Sequence, residues 1–199
     1  MLQVSNVKVF GLEDSLRASR YPMLKEHPDT LEKIEIKQDV VTSLGACAIG
    51  EGHDSFLCGI IVQFDVVYPQ YWSMEFQRYH FADIISSSSK MHTLVSVLKN
   101  SDEMKQHFNK YVDEDIINRC ADYAQKYNTA TNPEDKYLYF MKTVSNLPMG
   151  YELFMRVTTN YRQLKTIYQQ RKNHKLKEDW GAFCKFIEEL PQFKELTGI

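Results

Sequence analysis

The chain has 199 residues, 43% of them hydrophobic and 25% charged, enough for one domain with a sizeable core and ordinary for a globular protein. A formal net charge of −2 excludes a global basic field of the kind that nucleic acid or an acidic membrane attracts. The four cysteines, Cys47, Cys58, Cys120 and Cys184, form no C-x-x-C pair, which excludes a disulfide framework and a cysteine zinc site.

In chain order, residues 2–10 read as a strand carrying Val4, Val7 and Val9, and Gly11 breaks it. A short helix over 13–19 ends before Tyr21-Pro22. A turn at 27–30 precedes a helix over 31–44, and 45–52 is small and flexible enough to be a loop. The opening MLQVSNVKVF lacks an apolar signal core and no run approaches a membrane span. A soluble, cytoplasmic protein of one domain, 1–199, with no membrane or nucleic-acid partner is the expectation.

Residues 60–68 alternate, with Ile60, Val62, Phe64, Val66 and Tyr68 on one face and Gln63 and Asp65 on the other, so a strand packed mainly on one side is expected. Pro69 ends it and suits the first turn of a helix bearing Trp72, Glu75, Phe76 and Tyr79 on one side. Ser86 to Ser89 then lead through Lys90 into an apolar helix, 91–98. Serines before a helix either cap its first amides or, with Lys90, hold an anion there.

Residues 101–111 read as a short polar helix, and 113–127 as a longer one with Ile116, Cys120, Tyr123, Ala124 and Tyr127 on one face. A helix over 134–146 shows the stripe Tyr137, Phe140, Met141 and Val144, a pattern more often core than cofactor cradle. Leu147-Pro148 stops it before a strand at 151–158. In the helix 160–171, Tyr161, Leu164, Ile167 and Tyr168 make an apolar side, while Arg162, Thr166 and Gln169 share a polar one. Arg171 near its end is where the backbone dipole favours a cation with or without a function. The basic run 171–177 reads as solvated, and a last helix, 178–190, turns Trp180, Phe183, Cys184 and Ile187 inward before Pro191.

The stretch from Arg78 to Lys90 resembles the signature R-H-R-x-x-S-x-N-x-x-S-x-R of the flavin-dependent thymidylate synthase family. Arg78 and Ser88 match outright, and Lys90 keeps the charge of the final arginine. Tyr79, His80, Asp83 and Ile85 replace the other signature residues. Upstream, His53 and Ser55 occupy the family's His-x-Ser/Thr, and Pro69 lies beyond them at its spacing. Downstream come Leu147-Pro148, Asn160-Tyr161-Arg162 and Arg171, in the family's order and intervals.

The resemblance implies an α+β fold, a single mixed α/β domain with an antiparallel sheet and several helices, assembled as a homotetramer with FAD at subunit interfaces. It implies transfer to C5 of a pyrimidine nucleotide, dUMP to dTMP, with reduced FAD, methylenetetrahydrofolate and NADPH. Carried over by position, His53, Ser55, Arg78, Tyr79, His80, Asn160 and Arg162 would lie along the flavin. Glu75, Ser88, Lys90 and Arg171 would surround the nucleotide, Arg171 as the catalytic cation. Two departures stand out. Val144 occupies the place of a phosphate-gripping arginine, and Glu75 that of a glutamine, so a carboxylate that only accepts hydrogen bonds would face the pyrimidine. A weakened FAD site, an altered pyrimidine or a catalytically inactive descendant serving as a nucleotide-binding or assembly module would each account for them. The six histidines form no H-x-x-x-H or HExxH pair, so no metal site is expected.

Overall fold

The alternation at 60–68 produces a strand, β2 (Ile61–Pro69), whose inward side chains Val62, Phe64, Val66 and Tyr68 are buried together with the preceding Ile60. Each such burial contributes about 1.5–3 kcal/mol relative to exposure. The computed structural model of the chain describes residues 2–98 and 104–199. Strand β1 (Gln3–Phe10), β2, β3 (Asp83–Ser87) and β4 (Glu152–Asn160) form a four-stranded antiparallel sheet in the order β1-β2-β4-β3. The helices are α1 (Leu12–Ala18), α2 (Gln38–Gly45), α3 (Gln70–Phe76), α4 (Lys90–Val97) and α5 (Glu114–Thr129). They continue with α6 (Pro133–Ser145), α7 (Tyr161–Arg171), α8 (Lys177–Glu188) and α9 (Phe193–Thr197). The residues cluster into two compact units.

The first unit comprises 67–78 and 86–155 of the described residues. Its core gathers Leu94 and Leu98 from the α4 segment, Met104, Phe108, Ile117, Cys120, Ala124 and Tyr151, with Val144 and Leu147 packed against them. Pro69 closes β2 and is the N-cap of α3, one residue ahead of the first turn expected for it, and Trp72 stacks on Phe76 with ring centroids 4.7 Å apart. Asn132 caps α6 by accepting the Asp135 N–H at 2.7 Å, with Pro133 at the first helical position.

Several expectations in this unit are corrected. The α5 seam passes through Ile117, while Ile116 is exposed. The α6 stripe is mostly outward: Tyr137 and Met141 are exposed, and only Phe140 and Val144 are half-buried. The expected helix at 101–111 begins outside the described residues; its described part is one turn at Lys105–His107, after which Phe108 bridges to Tyr151. Ser86 and Ser87 are strand residues of β3, and Ser89 makes no side-chain cap at α4.

The second unit comprises 2–66, 79–85 and 156–199. Phe64, Phe183 and Phe186 meet at centroid distances of 4.9–5.7 Å, and Tyr161 packs edge-on against Phe193 at 4.9 Å. On the outer side of β2, Asp65 accepts from Asn6 at 2.5 Å and from Arg156 at 2.8 Å, and these bonds hold its carboxyl below the usual range. Helices α2 and α9 approach so closely that a Cβ at Gly45 would run into the Leu196 carbonyl. The expected helix over 31–44 is broken. A single turn at Leu31–Lys33 leads to extended backbone at Ile34, whose buried side chain and Arg17-bonded carbonyl fix it there, and α2 starts only at Gln38. Helix α9, beyond Pro191, went unread in the sequence.

Burial pushes the Cys184 thiol up to about 11 from an ordinary 9.0, with Glu188 adding to the shift, and also raises Tyr161. These groups hold their protons more tightly in the folded chain. The contribution of Cys184 is intact below about pH 9 and is lost as pH rises through about 11. Urea midpoints should therefore fall between pH 8.5 and 11, and Cys184→Ala should flatten the decline. Midpoints that do not move over that interval would show that the thiol titrates alike in both states.

Candidate functional site

In the second unit, the turn segment His53–Gly59 leads into β2, and β4 passes directly into α7. The Tyr161 N–H donates to the Ile60 carbonyl at 3.1 Å, tying the start of α7 to the end of that segment. Between them lies a cavity of about 400 Å³ lined by Ile49, Gly50, Asp54, Cys58, Phe81, Asn160, Arg162, Gln163 and Thr166. Phe81 is 68% exposed, an aromatic face open to a planar ligand.

The cavity's charges are arranged around Asp54, which is buried. Its Oδ1 lies 2.9 Å from Arg162 Nε, an ion pair without hydrogen-bond alignment, and its Oδ2 lies 3.1 Å from Lys165 Nζ. Lys165 is 1% exposed and donates also to the carbonyls of Gly45 at 2.8 Å and Cys47 at 2.6 Å, so all three ammonium donors are used. Arg162 Nη1 points to the Cys58 sulfur at 4.0 Å. That contact, and then Asp54, hold the Arg162 guanidinium above its ordinary pKa, so it is charged throughout the physiological range.

Four of the seven residues expected along a flavin line two separate cavities. Asn160 and Arg162 line the one just described, and Asn160 also caps α7 by accepting the Gln163 N–H at 2.9 Å. His53 and Ser55, both exposed, line another of about 490 Å³ with Ser19, Tyr21 and Phe56, and the Ser55 hydroxyl donates to the Gly52 carbonyl. His80 is exposed in the turn before β3. Tyr79 meets Arg171 instead: the Arg171 Nε–H donates to the Tyr79 hydroxyl at 2.7 Å, and the guanidinium carbon stands 4.6 Å from the Trp180 ring centroid. Stacking on an indole orients a guanidinium as well as attracting it.

The remaining expected residues belong to the first unit. Arg78 is exposed just past the end of α3, and Glu75 is partly buried within that helix. Ser88 is engaged with β4: its N–H donates to the Phe154 carbonyl at 2.9 Å and its Oγ accepts the Phe154 N–H at 3.1 Å. Lys90 donates to Gln70 Oε1, and Gln70 is itself anchored to the Pro148 carbonyl at 3.2 Å. Lys142, two residues before Val144, sits over the rings of Tyr123 and Tyr139.

Sequence reasoning passed over Asp54 and Lys165. A signal for Lys165 was present: it falls four residues after Tyr161, inside the apolar stripe of α7, where a lone cation requires buried acceptors. Among the described residues, no group of three or more His, Cys, Asp or Glu side chains could hold a metal ion, and no helix is long and apolar enough to cross a membrane.

The antiparallel sheet in the order β1-β2-β4-β3, with this set of helices, is the fold of the flavin-dependent thymidylate synthases. The chain is similar to thymidylate synthase X from Helicobacter pylori, solved with FAD and dUMP, at a TM-score of 0.67 and 16% identity, covering 98% of this chain and 96% of that one. A second structure of the flavin-dependent enzyme from Helicobacter pylori, also with FAD and dUMP, matches at 0.67 and 18% identity over 96% of each chain. No family model and no curated protein matches the sequence.

Proposed function

We propose that the chain is a flavin-dependent thymidylate-synthase-like enzyme acting at C5 of a pyrimidine nucleotide. The observation that carries this reading is the fold likeness, over nearly the whole chain, to structures holding FAD and dUMP. The cavity supports it. A permanent cation at Arg162 and an exposed Phe81 ring suit a ligand with phosphates and a flat ring system. FAD, when bound, supplies the electron chemistry that no side chain here provides. Arg162, Asn160 and Tyr79 would hold it with His53 and Ser55, while Ser88, Lys90 and Glu75 would position the nucleotide. Methylenetetrahydrofolate and NADPH are its co-substrates, a homotetramer its working assembly and the cytoplasm its place.

Purified protein should carry flavin, or acquire it from added FAD, with absorption near the flavin band, and should release tritium from deoxyuridylate labelled at C5. A protein that takes up no FAD at any concentration overturns the reading.

Two observations favour the alternative, a catalytically altered descendant that binds nucleotide or serves assembly. The Arg171 guanidinium is engaged by Tyr79 and Trp180, and Val144 packs in the core where the family grips a phosphate. That descendant would assemble and take up ligand without tritium release.

A further inference from the structure

The Asp54 carboxylate faces two cations, and only one of them reaches the cavity. Arg162 lines it with a side chain 36% exposed; Lys165 is sealed beneath, its three donors spent on Gly45, Cys47 and Asp54. Without Lys165, the whole charge of Asp54 would fall on Arg162, and any phosphate entering the cavity would compete with a carboxylate for the guanidinium. With Lys165 present, one carboxylate and two cations leave a single net positive charge, and it resides on the group that lines the cavity.

We infer that Lys165 is a positioning residue: it neutralises Asp54 so that Asp54 holds Arg162 by geometry without cancelling its charge, and the cavity is thereby set to take a phosphate-bearing ligand. This deepens the flavin reading and rests on it for the identity of that ligand. The pair lies in a low-dielectric site, where removing one charge changes the attraction for an anion far more than it would in water. Arg162 Nη2 has no protein partner among the described residues, so it keeps a donor edge for two phosphate oxygens.

The test compares Lys165→Met with the double variant Asp54→Asn/Lys165→Met, using inorganic pyrophosphate and FAD as separate probes in calorimetric titrations at two salt concentrations. Both variants lose the ammonium and its bonds to the Gly45 and Cys47 carbonyls, so structural damage from that loss is common to them. They differ in charge. The single variant leaves Asp54 against Arg162, and the double restores the net positive charge with an amide oxygen still facing the guanidinium. Lys165→Met should lose about tenfold in pyrophosphate affinity and most of its salt dependence, and the double variant should recover both to within about twofold. If Lys165→Met does not fold, Lys165→Gln, which keeps N–H donors, takes its place in both backgrounds.

A single variant that binds pyrophosphate as the wild type does, or a double variant as weak as the single one, overturns the role of Lys165. So does a wild type that binds no pyrophosphate. Wild type that binds pyrophosphate with this variant pattern but takes up no FAD overturns the flavin reading and leaves the charge assignment standing.

Discussion

Replacing Asp54 by Ala is expected to cost about 3–5 kcal/mol of stability, the largest effect of any single substitution at the cavity. The cost arises from the groups left behind. Lys165 would keep its ammonium 1% exposed, with two neutral carbonyls and no counter-charge. Asp54 is itself 1% exposed, so truncating it removes the charge that compensates the ammonium and not a solvated surface group. Asp54→Asn should cost less, since an amide oxygen still accepts from the ammonium. The double variant Asp54→Ala/Lys165→Met should recover most of the loss, because removing both buried charges spares the desolvation that neither recoups alone. Urea unfolding of the four proteins measures this. An Asp54→Ala loss under about 1 kcal/mol would mean that Lys165 reaches solvent, and a double variant no better than the single would locate the loss in packing.

The parts of this fold that were legible in the sequence are those where burial is one-sided. Strand β2 announced itself because its inward residues alternate without exception, and α7 because Tyr161, Leu164, Ile167 and Tyr168 recur at helical spacing. Strand β3 could not be read. It lies at the sheet edge with all five residues exposed, so it carries no burial period, and its serines read as caps for the next helix. The α6 stripe failed for the opposite reason: a regular row of Tyr137, Met141 and their neighbours signals an amphipathic helix but not which side of it is covered within the chain. Asn160, Arg162, Arg171 and Tyr79 stood out in the sequence, whereas Asp54, the partner of Arg162, did not. Asp54 sits between His53 and Ser55 with no periodic signal, and Trp180 reads as core although its ring also receives Arg171. Pairings across more than a hundred residues, such as Asp54 with Lys165, are fixed by tertiary packing, which local spacing does not encode.

Arg171→Ala is expected to lower turnover of a labelled pyrimidine nucleotide by about 10²–10³-fold while leaving FAD uptake within about threefold. A cation fixed in a water-poor site stabilises charge developing on a ring without having to reorganise. The Arg171 guanidinium meets that requirement in part: its Nε is bonded to the Tyr79 hydroxyl at 2.7 Å and it stands over the Trp180 indole. Tyr79→Phe keeps the ring and removes the bond. If Arg171 works from the position Tyr79 gives it, this variant should lose about tenfold in turnover, the worth of one hydrogen bond to a charged group, with little change in the nucleotide concentration for half-maximal rate. If turnover instead rises, Tyr79 restrains a guanidinium that must leave it to act. Trp180 provides a readout independent of activity, since loss of the stacked cation in Arg171→Ala should shift the indole emission. Unchanged turnover in Arg171→Ala, with that emission shift present, would confine Arg171 to a structural role.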